Sequence, residues 1–236
     1  MHTPIEKRDS RRMREMFDVI APRYDFITRL FSYGMDSGWK RSGVEMASLP
    51  PRPVILDLAC GTADYSKLVR DARPGARTVA VDLTHHMLRL ARAEGIETAV
   101  CSDAMRLPFR DHAFDCVFVG YGLRNFPHLE NAVAEIHRVT RPGGMLVSLD
   151  FFLPRNPLWR RLYLGYLFVQ GGLWGFLLHG KPSIYTYIPK SLRTFVSIEE
   201  FTALLFRTGY RSVRSRGFIL GGIGVHWATN GRAETS

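Results

Sequence analysis

The chain is poor in the residues and runs that would mark a secreted, metal-bound or filamentous protein. Only three cysteines occur in 236 residues: Cys60, Cys101 and Cys116. Their spacing matches no metal-ligand pattern and each sits in an apolar stretch, so they read as buried thiols of a reducing compartment. The first residues are crowded with Arg, Lys, Asp and Glu and lack the apolar segment of a secretory signal, so a cytoplasmic location is expected. There is no repeat and no low-complexity tract. Hydrophobic residues at 46% and charged ones at 23% exclude a disordered chain. The formal net charge is +10, yet no long basic run occurs. Basic residues are interleaved with apolar ones instead, which argues against a nucleic-acid partner.

The charge is also unevenly placed. Residues 151–236 hold eleven Lys/Arg against three Asp/Glu, whereas residues 1–150 are nearly balanced at 21 against 19. The last third also contains the most apolar run, Leu162–Leu178, interrupted by Gln170 and by glycines. At 17 residues it stands at the lower edge of a membrane span. Arg155, Arg160 and Arg161 precede it, and His179 and Lys181 follow. Basic flanks around an aromatic-rich segment suit contact with an anionic membrane surface or a lipid-like substrate. Burial in an ordinary core is the competing placement.

Length allows one α/β core with an appended lobe. Residues 5–48 read as helical, with Met13, Phe17 and Ile20 at helical spacing and Gly34 and Gly38 as breaks. Pro50-Pro-Arg-Pro53 is a stiff connector. Strands are then predicted at 54–58, 78–82, 97–100, 114–120 and 145–151, and helices at 64–72, 84–94 and 130–140. Arg141-Pro-Gly-Gly144 supplies a turn into the fifth strand. This alternation, with apolar β-branched strands, predicts a mostly parallel sheet covered on both faces by helices. After an aromatic, Gly-rich stretch from about 153, a helix is predicted at 197–208 with Ser197 as its N-cap. Strands at 211–219 and 223–229 complete a seven-stranded, Rossmann-like sheet with an antiparallel last strand. The expected division is an N-terminal helical lid over 1–49, an α/β core over 50–152, and a substrate-facing segment with closing elements over 153–236.

Two stretches describe a nucleoside site. Val54-Ile-Leu-Asp-Leu-Ala-Cys-Gly-Thr-Ala-Asp64 reads as a buried strand entering a small-residue turn, and Thr78-Val-Ala-Val-Asp82 as a second strand ending on a carboxylate. Gly61, Thr62 and Ala63 let backbone approach a ligand. Asp57 is expected to orient that turn through backbone N–H groups, and Asp82 to accept ribose hydroxyls. Asp103-Ala104 falls after the third strand, where a carboxylate meets an adenine amine. A dinucleotide fingerprint requires G-x-G-x-x-G, and its third glycine is missing here. S-adenosylmethionine has no phosphate to cradle, so it fits better than NAD or a flavin.

The chain resembles the ubiquinone/menaquinone C-methyltransferase family, within the class I S-adenosylmethionine-dependent methyltransferases. The resemblance rests on Met16-Phe-Asp-Val-Ile-Ala-Pro-Arg-Tyr-Asp25, Ser32-Tyr-Gly34 with Trp39-Lys-Arg41, and Leu56–Asp64. It continues through Leu107-Pro-Phe109, Gly122-Leu-Arg-Asn125, Pro142-Gly-Gly144, Tyr185-x-Tyr187 and Gly221-Gly-Ile-Gly-Val-His226, and so covers essentially the whole chain. It implies donor contacts at Thr62, Asp82, Asp103, Ala104 and Gly120, and an acceptor ring near Tyr24, Arg124 and Asn125. Two departures stand out: Ala63 and Thr28 occupy positions where the family usually has Gly and Asn.

The reaction so implied is methylation of a ring carbon of a reduced, polyprenyl-tailed quinol, either a naphthoquinol or a benzoquinol. A guanidinium is no base, so Arg124 is expected to stabilise a phenolate or orient water, with Asn125 fixing that water and Tyr24 relaying the proton. A strand-end salt bridge is the other reading of Arg124. His128 is an alternative base or a plain helix-start residue, and Tyr185 and Tyr187 are either substrate wall or core. The partners expected are the lipid-tailed quinol, a membrane surface touched from one side and, as one option, a second copy in a homodimer. Methylation of another amphipathic molecule (a sterol, a tocopherol-like phenol, a tetrapyrrole) and a non-catalytic scaffold are the competing functions.

Overall fold

A computed structural model describes residues 24–231, the side chains of Tyr24, Asp25, His179 and Ser183 excepted. The first part of the expected lid, including Met13, Phe17 and Ile20, lies outside the described residues. Two short helices come first, α1 (Tyr24–Phe31) and α2 (Asp36–Glu45). Gly34 separates them with φ 75°, a left-handed turn suited to glycine. Gly38 does not break the chain as expected: it lies inside α2, with no atom near where a Cβ would stand.

The sheet strands are β1 (Val54–Leu58), β2 (Arg77–Asp82), β3 (Thr98–Cys101), β4 (Phe114–Gly120), β5 (Thr140–Phe151), β6 (Tyr210–Phe218) and β7 (Ile223–Asn230). Helices α3 (Asp64–Ala72), α4 (His85–Ala93) and α5 (Leu129–Val139) alternate with the first five. In space the order is β3-β2-β1-β4-β5-β7-β6. Strands β1 to β5 run parallel, and β7 is antiparallel to both of its neighbours. The last strand in sequence therefore lies inside the sheet, not at its edge. Strands so covered must be apolar on both faces. Ile55, Leu56, Val117, Phe118, Leu146 and Val147 are accordingly all fully buried.

The turn expected at Arg141–Gly144 is absorbed into β5 as a bulge. Phe114 pairs with Thr140, and the next pair is Cys116 with Met145. A Cβ on Gly144 would stand 2.8 Å from the Asp115 carbonyl oxygen, so only glycine allows the strands to close there. The N-terminal helices dock on this core. Trp227 donates its indole N–H to the Gly43 carbonyl at 3.0 Å, and Trp39 packs on Phe218.

The last third carries α6 (Pro157–His179), α7 (Tyr187–Leu192) and α8 (Ile198–Thr208). Asn156 caps α6, accepting from the Trp159 N–H, and Pro157 opens it with a ready-made φ. The glycines of the apolar run do not interrupt this helix. Among the described residues no helix is long and apolar enough to cross a membrane. Ser197 caps α8 as expected, and a reciprocal bond with Glu200 completes a capping box.

Candidate active site

The order in which strands are added to the sheet reverses between the parallel neighbours β1 and β4, and a crevice opens there beyond the carboxyl ends of the strands. The resulting cleft encloses about 730 Å³, its open mouth included. Of the expected donor contacts, Gly61, Asp82, Asp103, Ala104 and Gly120 line it, and Asn125 stands at its other end beside Tyr121 and Phe126. Thr62 and Asp57 instead line a smaller adjoining cavity with Lys40, Asp64 and Tyr65. Ala59 and Gly120 border both.

Asp82 ties the first turn to the next helix. One oxygen accepts from the Gly61 N–H at 3.0 Å, the other from the N–H and hydroxyl of Thr84 at 3.0 and 3.2 Å. Burial raises its pKa above the ordinary carboxylate value. Asp57 departs from expectation. It holds no N–H of the turn and accepts instead from the N–H and hydroxyl of Ser66, both at 2.9 Å. Orienting the turn thus falls to Asp82, while Asp57 anchors the first turn of α3. It lies at the end of a fully buried strand, and burial pushes its pKa up to about 7.

The turn is held in an uncommon conformation. Ala59, Gly61 and Ala63 all have left-handed φ between 53° and 61°, and Tyr121 on the opposite strand has φ 58°. For a non-glycine residue this costs roughly 1–2 kcal/mol. Three of the seven non-glycine residues with left-handed φ among those described thus flank the cleft, the others being Tyr33, His112, Ile219 and Leu220. Ala63, the departure from the family glycine, is fully buried at this place. Close packing also explains the glycines across from it. A Cβ on Gly122 would stand 2.7 Å from the Ala59 methyl, and one on Gly120 would stand 3.0 Å from the Tyr65 ring.

Arg124 and Asn125 share a short turn, Leu123–Asn125, yet face different ways. The Arg124 guanidinium is buried away from the cleft lining, donating to Asp150 at 2.8 Å and to the Tyr121 carbonyl at 3.0 Å. It also lies over the Phe151 ring at 5.1 Å. Asp150 is wholly buried. Burial raises its pKa and Arg124 partly offsets that rise. Asn125 borders the cleft: its amide donates to the Tyr121 carbonyl and its carbonyl accepts from the Tyr187 hydroxyl. Tyr185 is core, packed on Phe31. His128 opens α5 and faces a separate surface groove with Glu200 and Arg207. Tyr24 begins α1, and its side chain is outside the described residues. Thr28, the other departure, accepts the Ser32 N–H with its carbonyl at 3.1 Å inside the N-terminal helix pair.

Two participants escaped the sequence reading. Lys40 is almost fully buried and bridges Asp36 at 3.2 Å and Asp64 at 2.7 Å beside the smaller cavity. Burial opposes ionisation of Asp64, yet Lys40 holds its pKa below the ordinary value. Asp150 was the other. Both it and Asp57 are carboxylates at or near the end of an otherwise apolar strand, a pattern that would have found it.

The lining of the main cleft tests the donor. Among the described residues it contains two carboxylates, Asp82 and Asp103, and no Lys, Arg or His. A pyrophosphate would meet only like charge there, whereas a sulfonium nucleoside meets opposite charge. A zwitterionic amino-acid end would find both signs nearby, in Lys40 and Asp64. The residues present fit S-adenosylmethionine.

Strand order, the position of β7 and the cleft together define a class I methyltransferase fold. A methyltransferase dependent on S-adenosylmethionine from Thermotoga maritima superposes with a TM-score of 0.67 at 18% identity, over 92% of this chain and 99% of that one. The [4+2]-cyclase SpnF superposes nearly as well, with a TM-score of 0.66 at 15% identity over 96% and 97%. At such identities the likeness speaks to the fold alone. Sequence goes further: the model of the ubiE/COQ5 methyltransferase family matches residues 5–230, and the chain belongs to that family. It is 38% identical to a demethylmenaquinone methyltransferase of Thermus thermophilus, over 89% of this chain and 98% of that protein. It is 36% identical to a ubiquinone/menaquinone biosynthesis C-methyltransferase of Geobacter sulfurreducens, over 87% and 83%.

Proposed function

We propose that the protein transfers a methyl group from S-adenosylmethionine to a ring carbon of a reduced, lipid-tailed quinol. The observation that carries this reading is the cleft itself. A lining whose described residues include two carboxylates and no cationic side chain suits a cationic methyl donor, and it includes Asn125, which Tyr187 holds from the apolar last third. Family membership and the two relatives support the quinol as acceptor.

The donor supplies a methyl carbon on a positively charged sulfur. A ring carbon attacks it only when an adjacent hydroxyl has lost its proton and pushes electrons into the ring, which is why the acceptor is the quinol and not the quinone. A carbon–carbon bond forms, the carbon–sulfur bond breaks with its electrons going to sulfur, and the ring then sheds its proton to restore aromaticity. The protein holds the two carbons roughly 3–3.5 Å apart and in line. Asp82 and Asp103 hold the nucleoside end. Asn125 faces the acceptor hydroxyl or a water bound to it, and Tyr24 is kept as the candidate relay. The Arg124 guanidinium is bonded to Asp150 and the Tyr121 carbonyl and lies outside the cleft lining, so in the conformation described it acts as a positioning residue for the Tyr121–Asn125 loop.

SpnF uses this fold for a cyclase, so the acceptor must be tested directly. Methyl-labelled donor is offered with reduced demethylmenaquinol and with a demethylated benzoquinol, side by side. Label on a ring carbon of either supports the reading, and their ratio names the quinol. Donor binding without transfer to either quinol overturns the acceptor and favours another amphipathic molecule or a scaffold.

A further inference from the structure

Helix α6 departs from the usual amphipathic helix, in which bulky apolar residues face the core: Tyr163 and Leu167 do so, but more of its bulky apolar side chains face outward. Its inner face is narrow. A Cβ on Gly171 would stand 2.7 Å from the Tyr185 carbonyl oxygen, and one on Gly175 would stand 2.7 Å from that of Lys181, so glycines let segment 181–186 pack directly against the helix. Its outer face carries Leu158, Leu162, Val169, Leu173, Phe176 and Leu177, each 53–70% exposed. Their spacing repeats on one side of a 3.6-residue helix. They form an apolar ridge roughly 30 Å long at 1.5 Å per residue. Arg161 is the one charged residue among the exposed positions of the helix. Exposed Leu220 stands at the start of the ridge, reached through a bond from the Trp159 indole to Ile219, and exposed Tyr33 stands beside its middle, where its hydroxyl meets that of Tyr166.

We infer that the outer face of α6 docks the protein on an anionic phospholipid bilayer, lying in the headgroup layer without crossing it. Charge selects this occupant. From residue 151 to residue 198 the chain has six Lys/Arg and no Asp or Glu. Arg155, Arg161, Lys181, Lys190 and Arg193 are exposed in that stretch. A symmetric pairing of two copies through α6 would set this positive field against itself, whereas anionic headgroups match it. An apolar ridge bordered by basic side chains is the pattern of an interfacial helix. The inference goes beyond the proposed reaction and does not depend on it. Should both hold, α7, which packs on α6 and carries Tyr187, links the membrane face to Asn125 in the cleft.

The test is co-sedimentation of the full chain with extruded vesicles, without quinol or methyl donor. Vesicles of phosphatidylcholine mixed with phosphatidylglycerol should pellet the protein, and phosphatidylcholine alone should pellet much less. Val169→Glu with Phe176→Glu, both at exposed positions, should lower the bound fraction about tenfold or more while the urea midpoint stays in place. Arg155→Glu with Arg161→Glu should weaken binding to the mixed vesicles only. Wild-type protein left in the supernatant, or binding indifferent to the α6 substitutions, overturns the inference. So does a solution dimer that those substitutions split while vesicle binding is unchanged, since the ridge would then belong to a second copy.

Discussion

The donor half of the molecule and its last third bury opposite kinds of group. At the carboxyl ends of β1 and β2, Asp57 is buried and Asp82 half-buried, each accepting hydrogen bonds from backbone N–H groups of the turn or helix beside the cleft. Along α6, Gly171 and Gly175 are buried beside Tyr163 and Leu167, and a larger set of bulky apolar side chains faces outward. The first arrangement makes sense for a protein that must hold a polar cation away from water. The second makes sense only if something apolar lies outside. One chain thus presents a charged interior and a greasy exterior, and Arg124, Asp150 and Asn125 lie where the two regions meet.

The sharpest way to break that division is at the joint. Arg124→Ala leaves Asp150 buried without its guanidinium and should cost about 3–5 kcal/mol in urea unfolding. Replacing both, Arg124→Met with Asp150→Leu, should recover most of that loss while methyl transfer stays impaired. A single variant as stable as wild type would show that the pair does not join the halves.

The pH dependence should separate the halves next, because each contains one buried group shifted against its neighbourhood. His226 in β7 is buried between Phe152 and Phe201, and burial lowers its pKa from 6.5 to about 4. The unfolded chain binds that proton more readily between pH 4 and 6.5, so this group makes stability fall as pH drops through the window. Asp57 has the opposite sign. Its folded pKa is raised from 3.8 to about 7, so the native state holds the proton and stability falls as pH rises from 4 to 7. The two slopes oppose each other over nearly the same range, amounting to roughly 3 kcal/mol for His226 and roughly 4 kcal/mol for Asp57. Wild type should look flat, Asp57→Asn should grow more stable toward pH 6.5, and His226→Gln should grow less stable toward pH 7. Parallel slopes in the two variants would contradict the assignment.

A third effect concerns binding. Asp82→Ala should raise the dissociation constant for S-adenosylmethionine about thirtyfold, or ~2 kcal/mol, by calorimetry. The outer-face substitutions on α6 should leave that constant alone. The smallest effect lies in the cap of α8. Ser197→Ala removes the capping box and should cost about 1 kcal/mol of stability with donor affinity unchanged.

The same division governs what could be read from the sequence. Parallel strands bury both faces, so their apolar runs announced β1 to β4 within a residue or two, and Ser197 with Glu200 announced α8 because a cap is local chemistry. The place of Asp82 beside the cleft could also be read from its position at a strand end, but not that it, rather than Asp57, orients the turn. What escaped depends on partners far along the chain. Nothing near Asp57 says that Ser66 is its partner rather than the turn, and nothing near Arg124 says that Asp150, 26 residues on, receives its guanidinium. Gly171 and Gly175 read as interruptions because glycine weakens an isolated helix. In the fold they are where a neighbouring backbone comes closest, and that contact offsets the propensity. Ala63 gives no hint of its left-handed backbone, which the turn imposes on it.

The position of β7 has a consequence for how the sheet is made. β6 leaves the ribosome before β7, yet it stands outside β7 and touches β5 nowhere in the pairing. Strand β5, complete by residue 151, therefore keeps an open edge until residues 223–230 have been synthesised. The sheet cannot grow outward in the order of translation on this side. Its final step is an insertion, joining segments some seventy residues apart, and such long-range pairing is slow and exposes an unguarded strand edge meanwhile. Nascent chains stalled before residue 223 should be the form that chaperones and proteases find first.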